Sequence, residues 1–405
     1  MSKKVLLIIG IIIIIGIAVF LVLSSSSPVG EGETRVGFSI RDYFPFGKGE
    51  DLGTSTNQNI NTQKEEPTTT NTENKPVPRL RKISSEPVAG AVVFNVGTTT
   101  FARFVEKGTG NVYEARSDSN TIERLTNTTI PKIVRAEWLP NAGGFLAQRI
   151  DIGENLIATS FVKLNKNKTN REDSALYDTV ISKLPTGIEE LAISPDSSKI
   201  FYYLKGASSF WFTAKPDGTS KSYIYTSPIL EWVPIWIDNK NVFMSTKPST
   251  SVKTFAYNFN IESKTLTKTS VDGFGLSFNP KNNVSLVSNG GFNISVINNK
   301  TLESTDLKTN TLSDKCVWLE KYVYCAIPEG NISGYMDSWY KGTTSTQDNI
   351  RKVDTENLFY TNISSLSTES GEDIDVENMG VSGDESHLIF RNKRDEFLWM
   401  LRVEN

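Results

Sequence analysis

The chain has 405 residues with 43 Lys+Arg against 46 Asp+Glu, so its formal charge of −3 leaves no electrostatic footprint for DNA or RNA. One His and two Cys cannot build a multi-histidine metal centre or a four-cysteine zinc or iron–sulfur site. No metal and no cofactor is expected, and the heavy use of Asn, Ser and Thr suits short strands joined by polar turns better than a helical bundle.

Residues 5–23 form an unbroken apolar and glycine run of 19 positions. A helix of that length spans roughly 28 Å, close to the hydrocarbon core of a bilayer. Lys3 and Lys4 precede it, and Glu31 and Glu33 follow. The positive-inside rule then puts the N-terminus in the cytoplasm and the rest outside, in the periplasm or at the cell surface. A cleaved signal peptide is the competing reading, but the run exceeds the usual ~7–15 residue apolar region and no small-residue cleavage site follows. The expectation is an uncleaved signal anchor over residues 1–23, contacting lipid through residues 5–23.

Residues 24–78 read as a linker. Its first part holds Phe38, Tyr43, Phe44 and Phe46, which suit a membrane-interfacial segment or, alternatively, a docking peptide. From Gly47 onward the only large apolar residues are Leu52, Ile60 and Val77, too few to offset the entropy of folding. As a coil the linker has an end-to-end distance on the order of 40 Å.

From residue 79 to 405 one phrase recurs: an apolar strand, a polar turn, then a second apolar strand. Its anchors are Phe94, Trp138, Ile193, Trp236, Phe278, Trp318 and Val381, spaced by 44, 55, 43, 42, 40 and 63 residues. Units of ~40–45 residues containing four strands are blades of a β-propeller, and the longer spacings imply insertions. The expected fold is all-β, a seven-bladed propeller, with six or eight blades as alternatives. Ile193-Ser194-Pro195-Asp196, Ile200-Phe201 and the Pro216-Asp217-Gly218 turn resemble TolB-type propeller repeats, cousins of WD repeats. Other copies depart from that pattern, with Asp238-Asn239 or Glu320-Lys321 at the turn. The resemblance implies architecture and says nearly nothing of chemistry. After Val381 there is room for only three strands, so residues 79–84 are expected to supply the outer strand of the last blade and close the ring.

No nucleophile elbow, phosphate-binding loop, zinc-protease motif or calcium loop is present. His387 reads as a surface residue at the start of a strand. Glu369, Glu372, Asp373 and Asp375 could bind a cation but read more simply as a solvated loop. Cys316 and Cys325 flank the turn at Glu320-Lys321 symmetrically, which places them opposite one another in a hairpin. Outside the membrane this pair is expected as a disulfide, with two buried thiols as the alternative.

The longest irregular stretch follows Ile327 and runs to about Gln347, between the second and third strands of the sixth blade. It carries Tyr335, Trp339 and Tyr340 between glycines. A self-packed loop and a binding loop are both open readings; the aromatics favour a partner-binding face, because interfaces draw their energy from such side chains. The functional expectation is a non-catalytic, membrane-tethered, monomeric scaffold that binds another envelope or surface protein. A glycan or wall-polymer binding module is the alternative, and a propeller hydrolase or lactonase a more distant one.

Overall fold

Ile200-Phe201-Tyr202-Tyr203 shows how the strands of this chain work. Successive side chains point to opposite faces of a strand, yet all four are buried. Ile200 and Tyr202 pack against Leu146 and Phe161, whereas Phe201 and Tyr203 pack against Trp236, Val242 and Phe259. A sheet covered on both faces by other sheets explains the continuous apolar runs. The computed structural model describes residues 76–403 apart from 152, 154–155, 168–174, 274–275, 280–283, 289–292, 302 and 331–335. The expected membrane anchor and nearly all of the expected linker lie outside the described residues. Among the described residues no helix is long and apolar enough to cross a membrane.

Seven four-stranded antiparallel sheets follow one another along the chain, six of them in simple sequence order. Blades one to seven span residues 88–124, 133–183, 188–227, 233–273, 276–310, 316–365 and 376–402. All seven anchors fall in the first strand of their blades. In every blade the first strand pairs with the second, as in Trp138 opposite Phe145 and Val381 opposite Leu388. The two long spacings have visible causes. Blade two carries an extended hairpin, Gly144–Asp151 with Leu156–Lys166. Blade six carries residues 329–347 and a short helix, Leu366–Ser370.

The core lies between blades. Trp211, fully buried, meets Trp232 and Phe259 edge-on at 5.5 and 5.1 Å across the junction of blades three and four. The last blade is completed by Leu80–Lys82, whose Leu80 pairs with Leu401 and whose Lys82 pairs with Trp399. The ring is thereby closed by strands from both ends of the described chain, leaving no open edge between blades one and seven. Arg79 and Lys82 also reach Glu369 and Glu372 of the neighbouring blade at 2.7 and 2.9 Å.

In such a meander, connections between second and third strands, and from a fourth strand to the next blade, share one face. We call it the upper face; the remaining turns form the lower face.

Candidate functional site

Residues 329–347 connect the second and third strands of blade six and therefore sit on the upper face. A tight connection would suffice there, as Gly206-Ala207-Ser208 shows in blade three. Instead the segment forms the short helix Met336–Tyr340 and reaches across the ring. Asp337 accepts from the Thr250 backbone N–H at 2.9 Å and from its hydroxyl at 2.5 Å, and Thr250 belongs to the corresponding connection of blade four. On the other side Lys393 of blade seven lies 3.7 Å over the Trp339 ring and donates to the Trp339 carbonyl. Arg394 donates to the Thr346 carbonyl at 3.1 Å. The insertion is a strap fastened to three blades.

Beneath it is a buried charge cluster. The Lys315 ammonium donates to Thr346 Oγ1 at 2.8 Å, Asp348 Oδ2 at 2.5 Å and Asp375 Oδ1 at 2.6 Å, with all three charged side chains removed from solvent. Trp339 Nε1 donates to both Asp375 oxygens, at 2.9 and 3.1 Å. Burial opposes ionisation of Asp375, but the Lys315 charge and the Trp339 and Thr346 donors outweigh it and hold the carboxyl below its usual range. Asp348 goes the other way: burial raises it, Lys315 offsets this only in part, and its Oδ1 accepts no bond among the described residues. An ammonium enclosed by two carboxylates with no access to solvent fastens a structure; it does not attack a substrate.

Three sequence expectations meet this geometry. Asp375, read as part of a solvated acidic loop, is fully buried because it partners Lys315; Glu369 and Glu372 do lie at the surface, paired to the closing strand. Trp339, expected on a partner-binding face, is 5% exposed and packs with Leu312 and Met336 inside the strap. Tyr340 is half-buried beside it, with ring centroids 5.2 Å apart, and burial next to Asp314 lifts its phenol well above the ordinary range. Tyr335 lies outside the described residues. Spacing could reveal an insertion here; the Lys315 cluster gave no signal, because its partners lie 31, 33 and 60 residues further along the chain.

Cys316 and Cys325 are directly opposed, with Cα atoms 4.1 Å apart, and form a disulfide. They tie the first two strands of blade six just below the strap.

Ser386, His387 and Asp384 bring hydrolase-type residues together on the lower face. Ser386 Oγ lies 2.7 Å from His387 Nδ1 and 2.8 Å from Asp384 Oδ1. Acid and imidazole both address the serine rather than each other, so no relay runs from acid through imidazole to hydroxyl. The same turn recurs in blade three, where Ser194 and Ser198 donate to Asp196 at 2.6 and 2.8 Å and Lys199 stands in the place of His387. It is a turn-closing device of the repeat. Burial, the largest influence on His387, lowers its pKa and disfavours the imidazolium.

The upper face also has an open groove of about 630 Å³ between the connections of blades seven, one and two, floored by Pro87 and Ile133 and rimmed by Glu86, Lys132 and Glu396.

The fold is a seven-bladed β-propeller, in which the Lys315 cluster and the Asp196 and Asp384 turns serve the architecture. Among solved structures it is similar to TolB from Acinetobacter baumannii, at 10% identity and a TM-score of 0.41, over 68% of this chain and 62% of that one. A β-propeller domain of Cps50 (Swd1) from Myceliophteria thermophila gives 8% identity and a TM-score of 0.49, over 80% of this chain and 100% of that one. Oligogalacturonate lyase in complex with manganese gives 9% and 0.48, over 76% and 87%. The chain thus spans less than two thirds of the TolB structure. No protein-family model and no curated protein matches the sequence.

Proposed function

We propose that this protein is a non-catalytic propeller scaffold, held to a membrane by residues 5–23, that presents its upper face to a protein partner in a cell-envelope or surface assembly. The observation that carries the reading is the strap. Residues 329–347 are unnecessary for pairing the strands they connect, yet they are fastened to blades four and seven and underlaid by a buried ionic cluster. A surface feature held this firmly offers a rigid relief, and rigidity lowers the entropy lost when a partner docks. Trp339 serves this role as the internal pin of the relief, and the outer side of the strap is its presenting surface.

The test is proximity labelling in the native cell with the full chain and a variant whose residues 330–345 are replaced by a short Gly-Ser link. The reading expects a defined set of labelled proteins that the variant loses while its ring stays folded. Identical labelling by both chains would refute it. Membrane fractionation of the native protein tests the anchor: recovery of an intact N-terminus in the membrane supports it, and N-terminal sequence beginning beyond Ser24 refutes it.

A further inference from the structure

Isolated apolar side chains at a protein surface are ordinary, but several from adjoining loops form a patch with meaning. On the upper face of blades three and four, Ile229 and Leu230 are 36% and 39% exposed in the connection between the blades. In the neighbouring connection and strand of blade four, Val252 and Phe255 are 60% and 38% exposed. The two loops are bound together. Trp232 Nε1 donates to the Ile229 carbonyl at 3.0 Å, and its ring meets Tyr257 edge-on at 5.6 Å. Tyr257 lies two residues along the strand from Phe255, on the same side of the sheet. Lys247 reaches Glu231 at 3.8 Å.

Charge gives this patch a sign. Glu231 is shared between Lys205 and Lys247. Lys253 has no acidic partner among the described residues, and Lys268 rests its ammonium 5.0 Å over the Phe255 ring. Among the described residues neither Lys253 nor Lys268 pairs with a carboxylate, so their ammonium groups flank the exposed apolar anchors. The patch also adjoins the strap, since Thr250, two residues from Val252, holds Asp337.

We infer that this surface docks an acidic segment of a partner protein, with aliphatic or aromatic anchors seated on Leu230, Val252 and Phe255 and carboxylates meeting Lys253 and Lys268. The inference rests on the scaffold reading and names the chemistry of its partner. A bilayer is the less favoured occupant. Lys82 pairs with Trp399, close to the upper-face connection before Leu398, and Leu80 pairs with Leu401 further down. The chain accordingly enters its first described strand from the lower face, opposite the patch.

The test uses the full chain in detergent micelles and three labelled peptide probes: one alternating Glu and Leu, one alternating Lys and Leu, and one alternating Glu and Ser. Fluorescence anisotropy should show saturable binding of the Glu/Leu probe, weaker at high salt because exposed ammonium groups are screened. The Lys/Leu and Glu/Ser probes should bind at least about tenfold more weakly, and Leu230→Asp with Lys253→Glu should weaken the Glu/Leu probe as much. The melting temperature of this double variant should match the parent, and Phe359→Ser on the lower face should change nothing. Equal binding of all three probes, or of parent and double variant, would overturn the inference. So would self-association, or adhesion to phosphatidylcholine–phosphatidylserine vesicles, that the double variant abolishes. In native-cell labelling, a partner set unchanged in the double variant but lost with the strap would remove this surface while leaving the scaffold reading standing.

Discussion

Asp337 of blade six and Thr250 of blade four are joined by two hydrogen bonds, although blade five lies between their blades. Such bonds at the surface contribute little to global stability, because water competes for both partners. Their effect is local: they fix the far end of a strap whose near end is anchored on blades six and seven. Thr250→Val removes the hydroxyl donor. It should lower the melting temperature by no more than a degree or two and raise amide exchange over residues 336–343, read by mass spectrometry. Unchanged exchange there would mean that the strap is held from its near end alone.

Lys315 makes the opposite prediction. Breaking a buried ion pair by removing one member strands a charge, at about 3–5 kcal/mol. Lys315→Met leaves Asp348 and Asp375 facing each other unpaired, so denaturant unfolding should show a loss of that order. Trp339→Ala empties the strap's core and removes a donor to Asp375, and should cost a similar roughly 3–5 kcal/mol. A near-parental midpoint for Trp339→Ala would mean that its indole is replaceable and that its place is at the surface after all.

What the sequence disclosed and what it hid divide along sequence distance. Repetition is a local pattern, so Trp138, Ile193 and Trp236 could be aligned by eye, and the turn between Cys316 and Cys325 fixed a register. Closure by residues 79–84 was legible because the last unit lacked one strand. The strap was visible as excess length, but its packing was not. Trp339 lies between glycines in a polar stretch, which reads as an exposed aromatic. It is buried because Lys315 and Asp375, distant in sequence, converge beneath it, and no periodicity encodes such a meeting. The Ile229–Leu230 patch escaped for a related reason: two apolar residues in a loop look like core until neighbouring blades fail to cover them.

Ring closure can be tested by truncation. Leu80 is buried between blades six and seven, and Ile83 donates its backbone N–H to the Leu398 carbonyl at 2.8 Å. Deleting residues 79–84 opens one edge of blade seven and uncovers Leu401 and Trp399. The truncated protein should unfold at a clearly lower denaturant midpoint and associate through its exposed strand. A monomer melting with the parent would show that the other six blades hold the ring unaided.

The disulfide between Cys316 and Cys325 closes a loop of sequence separation 9. In the chain-entropy model a loop this short yields at most ~2–3 kcal/mol, and less where a hairpin already closes it. Reduction should therefore lower stability modestly and leave the ring intact. Unreduced, alkylated native protein should show the two cysteines joined in its peptide map, and two alkylated thiols would refute the pairing.

Two neighbours on one strand contribute to the alkaline limit, alongside Tyr324 and Tyr340, whose phenols burial also raises. Tyr202 and Tyr203 are almost wholly buried on opposite faces of blade three, and burial pushes both phenols up to about 12. Tyr203 further donates to the Trp232 carbonyl at 3.1 Å, a bond its anion could not make. An unfolded tyrosine ionises near 10. Their raised values therefore count against the fold as the pH climbs: the stability they supply is complete below about pH 10 and is lost progressively toward about pH 12. Two pH units correspond to about 2.7 kcal/mol for each group. Absorbance of tyrosinate should show the exposed tyrosines ionising first, with the buried tyrosines, Tyr202 and Tyr203 among them, following only as circular dichroism records the loss of the sheets. Tyr202→Phe removes one ionising group, keeps the ring in the core and should hold the fold to higher pH. Reversible ionisation of every tyrosine near pH 10 with the sheets intact would show that these phenols are open to water, and that the junctions between blades two, three and four are looser than their packing implies.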